Sequence, residues 1–239
     1  MKQIIYLLGI LATMATVLPL IRSESAWIRI FDFPRIQIAA LALFVLTAHV
    51  FLSDNGLYKY ALVLALLACI SFQAYMIYPY TLLSVRQVLD AESNDPSRKF
   101  SLLISNVFMK NRDVRSYLQV IKDSDPDIIL VAEPDKWWEE QLRSLESSHG
   151  YTIKCPLDNT YGMLLYSRLR LINPEIKFLV EGDVPSMHSL VEMRSGDLLE
   201  LHFLHPKPPH PAKNPDTKER DVELLLVGRE VKGTSRPVI

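Results

Sequence analysis

PDIILVAE, residues 126–133, is the stretch whose reading decides how this chain folds. Five consecutive apolar residues, Ile128 to Ala132, run into the carboxylate of Glu133, and Pro126 and Pro134 bound the run. A continuous Ile/Leu/Val segment of this length fits a strand covered on both faces. Ligands in layered α/β folds gather beyond the carboxyl ends of such strands, so Glu133 marks where chemistry is expected.

Upstream, LLISNV at 102–107 reads as a short apolar strand carrying Asn106 at its end. Asp113 then caps a helix whose apolar positions Val114, Tyr117, Leu118 and Ile121 share one face, and DSDPD at 123–127 stops it. Downstream, Asp135 opens a second helix, with Trp138, Leu142 and Leu145 on one face and Gly150 at its end. Strand-like runs follow near 151–154, 161–167, 174–180, 187–194 and 198–204, joined by short Asn/Gly/Pro turns that suggest antiparallel neighbours. A final helix at 219–231 is expected to bury Val222, Leu225 and Leu226. Strands with helices on their outer faces predict a layered α/β or α+β domain over 101–239.

The first third of the chain is different. Residues 4–21, 36–52 and about 60–83 are apolar segments with few or no charges, each close to the roughly 20 residues that a helix needs to cross hydrocarbon. Three transmembrane helices within residues 1–84 are expected, with the lipid bilayer as partner. Cleavage of the first segment as a signal peptide is the alternative, but no clean small-residue site precedes Arg22. Trp27, Phe31, Phe33, Tyr58, Tyr60, Tyr78 and Tyr80 fall near segment ends, where amphipathic rings favour the headgroup region. His49, near the end of the second segment, reads as an interfacial or packed residue. Arg22, Arg29, Arg35 and Arg86 on one side, against Lys2 and Lys59 on the other, favour a cytoplasmic C-terminal domain. Residues 85–100 are polar and read as a linker.

From residue 85 onward there are 21 Lys/Arg against 24 Asp/Glu, a net of −3. Affinity for bulk nucleic acid rests heavily on neutralising phosphates, so this balance disfavours it. Cys69 and Cys155 fall in the third apolar segment and the polar half, and are not expected to pair.

Three polar groups stand at predicted strand ends: Asn106, Glu133 and His205 in HFLHPKPPHP. Mg²⁺ takes oxygen ligands and often only one or two carboxylates, which a Glu beside an Asn amide satisfies. Taken singly, Glu133 reads first as an acidic helix start and Asn106 first as a turn residue, ahead of metal binding. His205 can donate to a phosphate oxygen near neutral pH, although His202 and His210 are close in sequence. His202 and His205 are three apart with no Cys or further His at ligand spacing, a poor case for zinc. Lys207, Lys213 and Lys218 make the following loop locally basic, as an anionic substrate or an ordinary solvated loop would have it. Of the adjacent Trp137 and Trp138, only one can face a core. No Gly-rich phosphate loop, G-x-S-x-G elbow or Cys-His pair is present.

Residues 105–135, LDNTYGMLLYSRLRL at 157–171 and LHFLHPKPP at 201–209 together resemble the endonuclease/exonuclease/phosphatase superfamily, the deoxyribonuclease-I-like hydrolases. The order matches: an Asn after the first strand, a helix, DPDI into a strand ending in Glu, a G-M-L-L-Y-S strand and a His-bearing strand end. The resemblance implies a two-sheet α/β sandwich that hydrolyses phosphodiesters or phosphomonoesters with Mg²⁺ or Mn²⁺. It implies Asn106 and Glu133 as metal-site residues and His205 as the catalytic contact to the scissile phosphate. Anchored bacterial members imply an inner-membrane, multi-pass location with the domain in the periplasm, against the charge count. The family's Gly-Asp-x-Asn-Asp and Ser-Asp-His elements have no counterpart before SRPVI at 235–239. The resemblance therefore implies an incomplete, truncated sandwich with an open sheet edge. Such a domain is either a truncated copy of a membrane-anchored, metal-dependent phosphoesterase, inactive as written, or a non-catalytic remnant that binds a partner or a phosphorylated ligand.

Overall fold

The computed structural model describes residues 2–21, 23–52, 57–86, 94–208 and 216–239. Arg22, His210, Lys213, most of the 53–59 loop and the centre of the 85–100 linker lie outside the described residues. The chain divides into two compact units, Met1–Asp90 with Pro209–Thr217, and Ala91–Pro208 with Lys218–Ile239.

The first unit holds α1 (Lys2–Val17), the short α2 (Ala26–Arg29), α3 (Arg35–Leu52) and α4 (Leu57–Ile77). Three helices are long and apolar enough to cross a membrane, over Lys2–Leu20, Arg35–Leu52 and Lys59–Tyr80. Ile5, Ala12, Ala42, Val45, Leu62 and Leu66 form their common core. Leu7, Leu11, Met14, Phe44, Phe51 and Leu64 point outward. Small residues such as Ala12 and Ala42 let helix backbones approach where hydrocarbon surrounds them. Inside the bundle, Gln73 Nε2 donates to Thr16 Oγ1 at 3.2 Å, and His49 is buried edge-on against Tyr6, ring centroids 5.0 Å apart.

The second unit is built on two sheets. The first has β1 (Leu102–Asn106), β2 (Ile128–Ala132), β3 (Tyr151–Cys155) and β4 (Met163–Ser167) in the order β1-β2-β4-β3. β1 and β2 are parallel and the other pairs antiparallel. The second is an antiparallel meander of β5 (Arg170–Lys177), β6 (Ser186–Glu192) and β7 (Leu198–Leu204). Every residue of β2 is buried, as its apolar run requires. Ile128, Leu130 and Ala132 pack toward Met187, Leu201 and Phe203 of the second sheet. Ile129 and Val131 pack with Trp138, Leu142 and Ile121 on the opposite side, beneath α5 (Val114–Ser124) and α6 (Lys136–Gln141). Each such side chain contributes on the order of 1.5–3 kcal/mol when fully buried.

Local signals set the helix limits. Asp113 accepts from Ser116 N at 3.1 Å and Asp135 from Trp138 N at 3.0 Å, so both act as N-caps. Asp125 closes α5 in the left-handed conformation, φ 41°. At the base of β2, the Asp127 carboxylate accepts from Ser101 N at 2.9 Å and pairs with Arg194. Burial opposes ionisation of Asp127, yet the Arg194 and Ser101 hydrogen bonds outweigh it and hold its carboxyl below the usual range.

Four expectations change. β5 begins at Arg170 rather than near 174, because Asn173 and Pro174 form a bulge instead of a turn, with Asn173 at φ 50°. The second helix ends at Gln141, short of Gly150, and a 3₁₀ segment over Arg143–Ser147 follows. The last helix, α7 (Lys218–Val231), buries Glu223 and Val227, leaving Val222, Leu225 and Leu226 exposed. The free edge of β7 is paired: Glu200 N donates to Pro237 O at 2.9 Å, His202 N to Ile239 O at 2.8 Å, and Ile239 N to Glu200 O at 2.9 Å.

Candidate metal and phosphate site

Because β1 and β2 run parallel with Asn106 opposite Ala132, their carboxyl ends deliver Asn106 and Glu133 side by side. Asn106 Nδ2 donates to Glu133 Oε1 at 2.6 Å, while Asn106 Oδ1 accepts from Phe108 N at 2.8 Å. His205, one residue beyond β7, brings Nε2 to 3.5 Å from the same Glu133 oxygen. The three residues singled out by the sequence therefore converge on one spot, although they span a hundred positions of chain.

Glu133 is held there by its backbone. It adopts φ 63°, a conformation costly for a residue with a side chain, and its N–H donates to Gly162 O at 2.9 Å. A Cβ at Gly162 would stand 2.0 Å from Pro134 O and 2.6 Å from Leu157 N, so only glycine lets that strand approach this turn. Gly162 thus acts on the position of Glu133 through the main chain.

Several neighbours escaped the sequence reading. The Tyr161 ring lies 6.2 Å from that of His205, and Lys207 Nζ stands 5.4 Å from the Tyr161 ring centroid. Lys207 is held by Glu181 at 2.5 Å and Asp183 at 3.3 Å. Burial works against its charge, but those hydrogen bonds prevail and raise the Lys207 ammonium above its ordinary value. The charge expected to attract an anionic substrate is therefore met by two carboxylates. Burial likewise raises the Tyr161 phenol. Glu181 and Asp183 sit in a polar loop with no motif to flag them.

Beside the site, Arg112 forms a fork with Asp135 at 3.0 and 2.6 Å and lies 4.5 Å over the Trp137 ring. Its hydrogen bond holds the Asp135 carboxyl below the carboxylate range. Trp138 is the tryptophan in the core, fully buried, and Trp137 serves as a platform for Arg112. His202 is not part of this site; it faces the far side of the second sheet beside His188.

A divalent cation can be tested against these donors. Glu133 Oε1 takes the Asn106 N–H, and among the described residues no hydrogen bond reaches Oε2. A carboxylate oxygen left open, beside an amide oxygen with a lone pair to spare, fits Mg²⁺ or Mn²⁺, which leave most positions to water and substrate.

Paired oxygen donors and a histidine thus stand together at the carboxyl ends of strands in a two-sheet sandwich. The chain belongs to the Endonuclease/Exonuclease/phosphatase family, whose sequence profile matches residues 103–239. Members of this family generally depend on divalent metals. Among solved structures, the chain is similar to a humanized D. rerio TDP2 carrying 14 mutations, at 17% identity and TM-score 0.49 over 58% of each chain. It is similar to a truncated Caenorhabditis elegans TDP2 at 13% identity and TM-score 0.47, over 58% of this chain and 59% of that one. An endonuclease/exonuclease/phosphatase from Beutenbergia cavernae aligns at 14% identity and TM-score 0.42, over 54% and 43%. The chain thus spans less than three fifths of the length of these structures. No curated protein matches it.

Proposed function

We propose that the chain is a membrane-anchored, family-type phosphoester-binding protein in which Glu133 and Asn106 hold Mg²⁺ or Mn²⁺ and His205 contacts a phosphate oxygen. The observation that carries this reading is the convergence of Asn106, Glu133 and His205 at 2.6 and 3.5 Å. The bound ion would polarise a phosphoryl oxygen. Asn106 orients the Glu133 carboxylate by donating to one oxygen, leaving the other for the metal. Gly162 fixes the turn, and His205 Nε2–H donates to a nonbridging phosphate oxygen at the site's edge. Tyr161 packs beside His205 and limits its swing.

Hydrolysis also needs a base to deprotonate water. Among the described residues, the carboxylate paired with His205 is Glu133 itself, which is committed to the metal. Among the described residues, no separate carboxylate orients His205 as a base. We therefore infer that the 239-residue polypeptide binds metal and a phosphate ester without turning over a generic phosphodiester, and that α1, α3 and α4 anchor it in a bacterial inner membrane with the domain in the periplasm. Full-length protein in detergent, assayed with Mg²⁺ and bis(p-nitrophenyl) phosphate, is expected to show background hydrolysis. Activity that disappears in Glu133→Ala would show instead that the chain carries a complete catalytic site. A reporter fused after residue 239 tests the side of the membrane, and a cytoplasmic readout overturns that assignment.

A further inference from the structure

The outer face of the second sheet carries a second cluster of ligand groups, unrelated to the Glu133 site. His188 and His202 are direct cross-strand partners on β6 and β7. Their neighbours Met187, Leu201 and Phe203 point into the core, so the pleat turns both imidazoles to the opposite side. The last turn of α7 brings Glu230 over them, and one ligand atom from each of the three residues lies within 4.8 Å of the others. They line a cleft of about 490 Å³ together with Lys177, Glu175, Glu200 and Thr234.

Hydrogen bonding fixes what each ring offers. Ser186 Oγ stands 3.2 Å from Lys177 O and 2.8 Å from His188 Nε2; in the tautomer that serves both contacts, the hydroxyl donates to Lys177 O and the imidazole Nε2–H donates to the hydroxyl. His188 Nδ1 is therefore the bare nitrogen, and it stands 2.7 Å from His202 Nδ1. A ring locked by a polar group behind it, with its lone pair presented forward, is the arrangement that metal-binding histidines use. The second ring supplies an independent sign. The His202 side chain is nine-tenths buried, and its Nε2 has no hydrogen-bond partner among the described residues, the nearest carboxylate being Glu200 at 3.8 Å. A buried polar nitrogen left unpaired is costly unless something not made of protein completes it.

We propose that His188, His202 and Glu230 form a transition-metal site, taking zinc in preference to Mg²⁺, that ties α7 to the outer face of the second sheet. Two imidazoles and one carboxylate suit Zn²⁺, whereas Mg²⁺ wants oxygen ligands throughout. Binding an ion through His202 Nδ1 moves that ring's proton to the unpartnered Nε2, which faces Glu200 at 3.8 Å, and the two Nδ1 atoms, 2.7 Å apart, then open to the roughly 3.3 Å that separates tetrahedral nitrogen ligands. Glu230 keeps one oxygen 3.3 Å from Lys177 Nζ and has the other for the ion. Glu175, Glu200 and Glu230 stand against the Lys177 ammonium and Arg236, which lies 3.2 Å from Glu200, so one carboxylate charge remains in favour of a cation. Water in the open cleft supplies the fourth ligand.

The test is a Co²⁺ titration of the full chain, purified in detergent and stripped with a chelator. One equivalent is expected to give the intense visible bands of a four-coordinate ion, and Zn²⁺ should displace it. Glu230→Gln, a change on an exposed helix turn, is expected to weaken Co²⁺ about tenfold or more, and His202→Gln to abolish the bands. Asn106→Ala with Glu133→Ala should leave the bands intact, separating this site from the strand-end site. Should His202→Gln fail to fold, Glu230→Gln decides alone. Absence of bands in the wild-type chain, or bands with unchanged affinity in Glu230→Gln, overturns the proposal.

Discussion

His202 and His205 are three residues apart, yet they belong to two different places. His205, past the end of β7, joins Asn106 and Glu133, whereas His202, inside β7, faces outward to His188. The strand-end site is created by topology: parallel neighbours β1 and β2 must finish together, and whatever follows them is brought into contact. The outer-face site is created by register, since one residue's shift of β6 against β7 would send His188 into the core. A metal-ligand spacing along the chain detects neither kind of neighbour. His188 is fourteen positions from its partner, and only the ladder between β6 and β7 brings the rings together.

The sharpest way to break this contrast is to disturb one place and watch the other. Gly162→Val forces a side chain into Pro134 O and Leu157 N. It should cost about 3–5 kcal/mol, read by hydrogen exchange of the β2 amides, and should abolish Mn²⁺ binding at Glu133. Co²⁺ binding on the outer face should survive wherever the domain stays folded. A variant with unaltered exchange would mean that the close approach does not hold the Glu133 turn.

Asp127→Asn acts at the opposite end of β2, where the carboxylate ties Ser101 and Arg194 to the strand. A loss of about 2 kcal/mol is expected from the broken charge-assisted hydrogen bonds, seen in urea unfolding, with both metal sites retaining their affinities. Loss of Mn²⁺ binding without loss of stability would contradict a purely supporting role for this end of the strand.

On α7, burial first, and then the charge of Glu181, push the Glu223 carboxyl up to about 7. Its folded value thus lies above the unfolded one of about 4.3. The folded chain keeps the proton while the unfolded chain releases it, so stability falls as pH rises from about 4 to about 7. Glu223→Gln should remove that slope, gaining on the order of 2 kcal/mol at about pH 8 and nothing at about pH 4. Protection of α7 amides measures it, and parallel pH curves for the two proteins would refute it. Arg112→Ala, which opens an ion pair exposed on the arginine side, should leave the urea unfolding midpoint close to that of the wild type. A larger effect would give Arg112 a part in holding Glu133.

Much of the scaffold was legible because its signals are local. The unbroken run Ile128–Ala132 could only be a two-face strand, and Asp113 and Asp135 cap the helices that cover it. Asn106, Glu133 and His205 were legible because strand ends are read from where apolar runs stop. The face of α7 was not: Leu224, Leu225 and Leu226 in succession give the helix no single apolar stripe, and docking buried Glu223 and Val227 instead. Asn173 and Pro174 spelled a turn, but pairing with β6 carried β5 through them as a bulge. For Lys207 the sequence left an anion attractor and a solvated loop side by side, because its carboxylate partners lie more than twenty residues away in sequence.

At the strand ends, Glu133 and Asn106 are the proposed oxygen ligands of a divalent metal. A Mn²⁺ titration of the full chain, followed by electron paramagnetic resonance with Zn²⁺ filling the outer-face histidines, tests that assignment most directly. The account predicts one Mn²⁺ that Mg²⁺ displaces, lost in Glu133→Ala and weakened about tenfold or more in Asn106→Ala. Mn²⁺ bound with the same affinity in Glu133→Ala, or no Mn²⁺ bound by the wild-type chain, would contradict it.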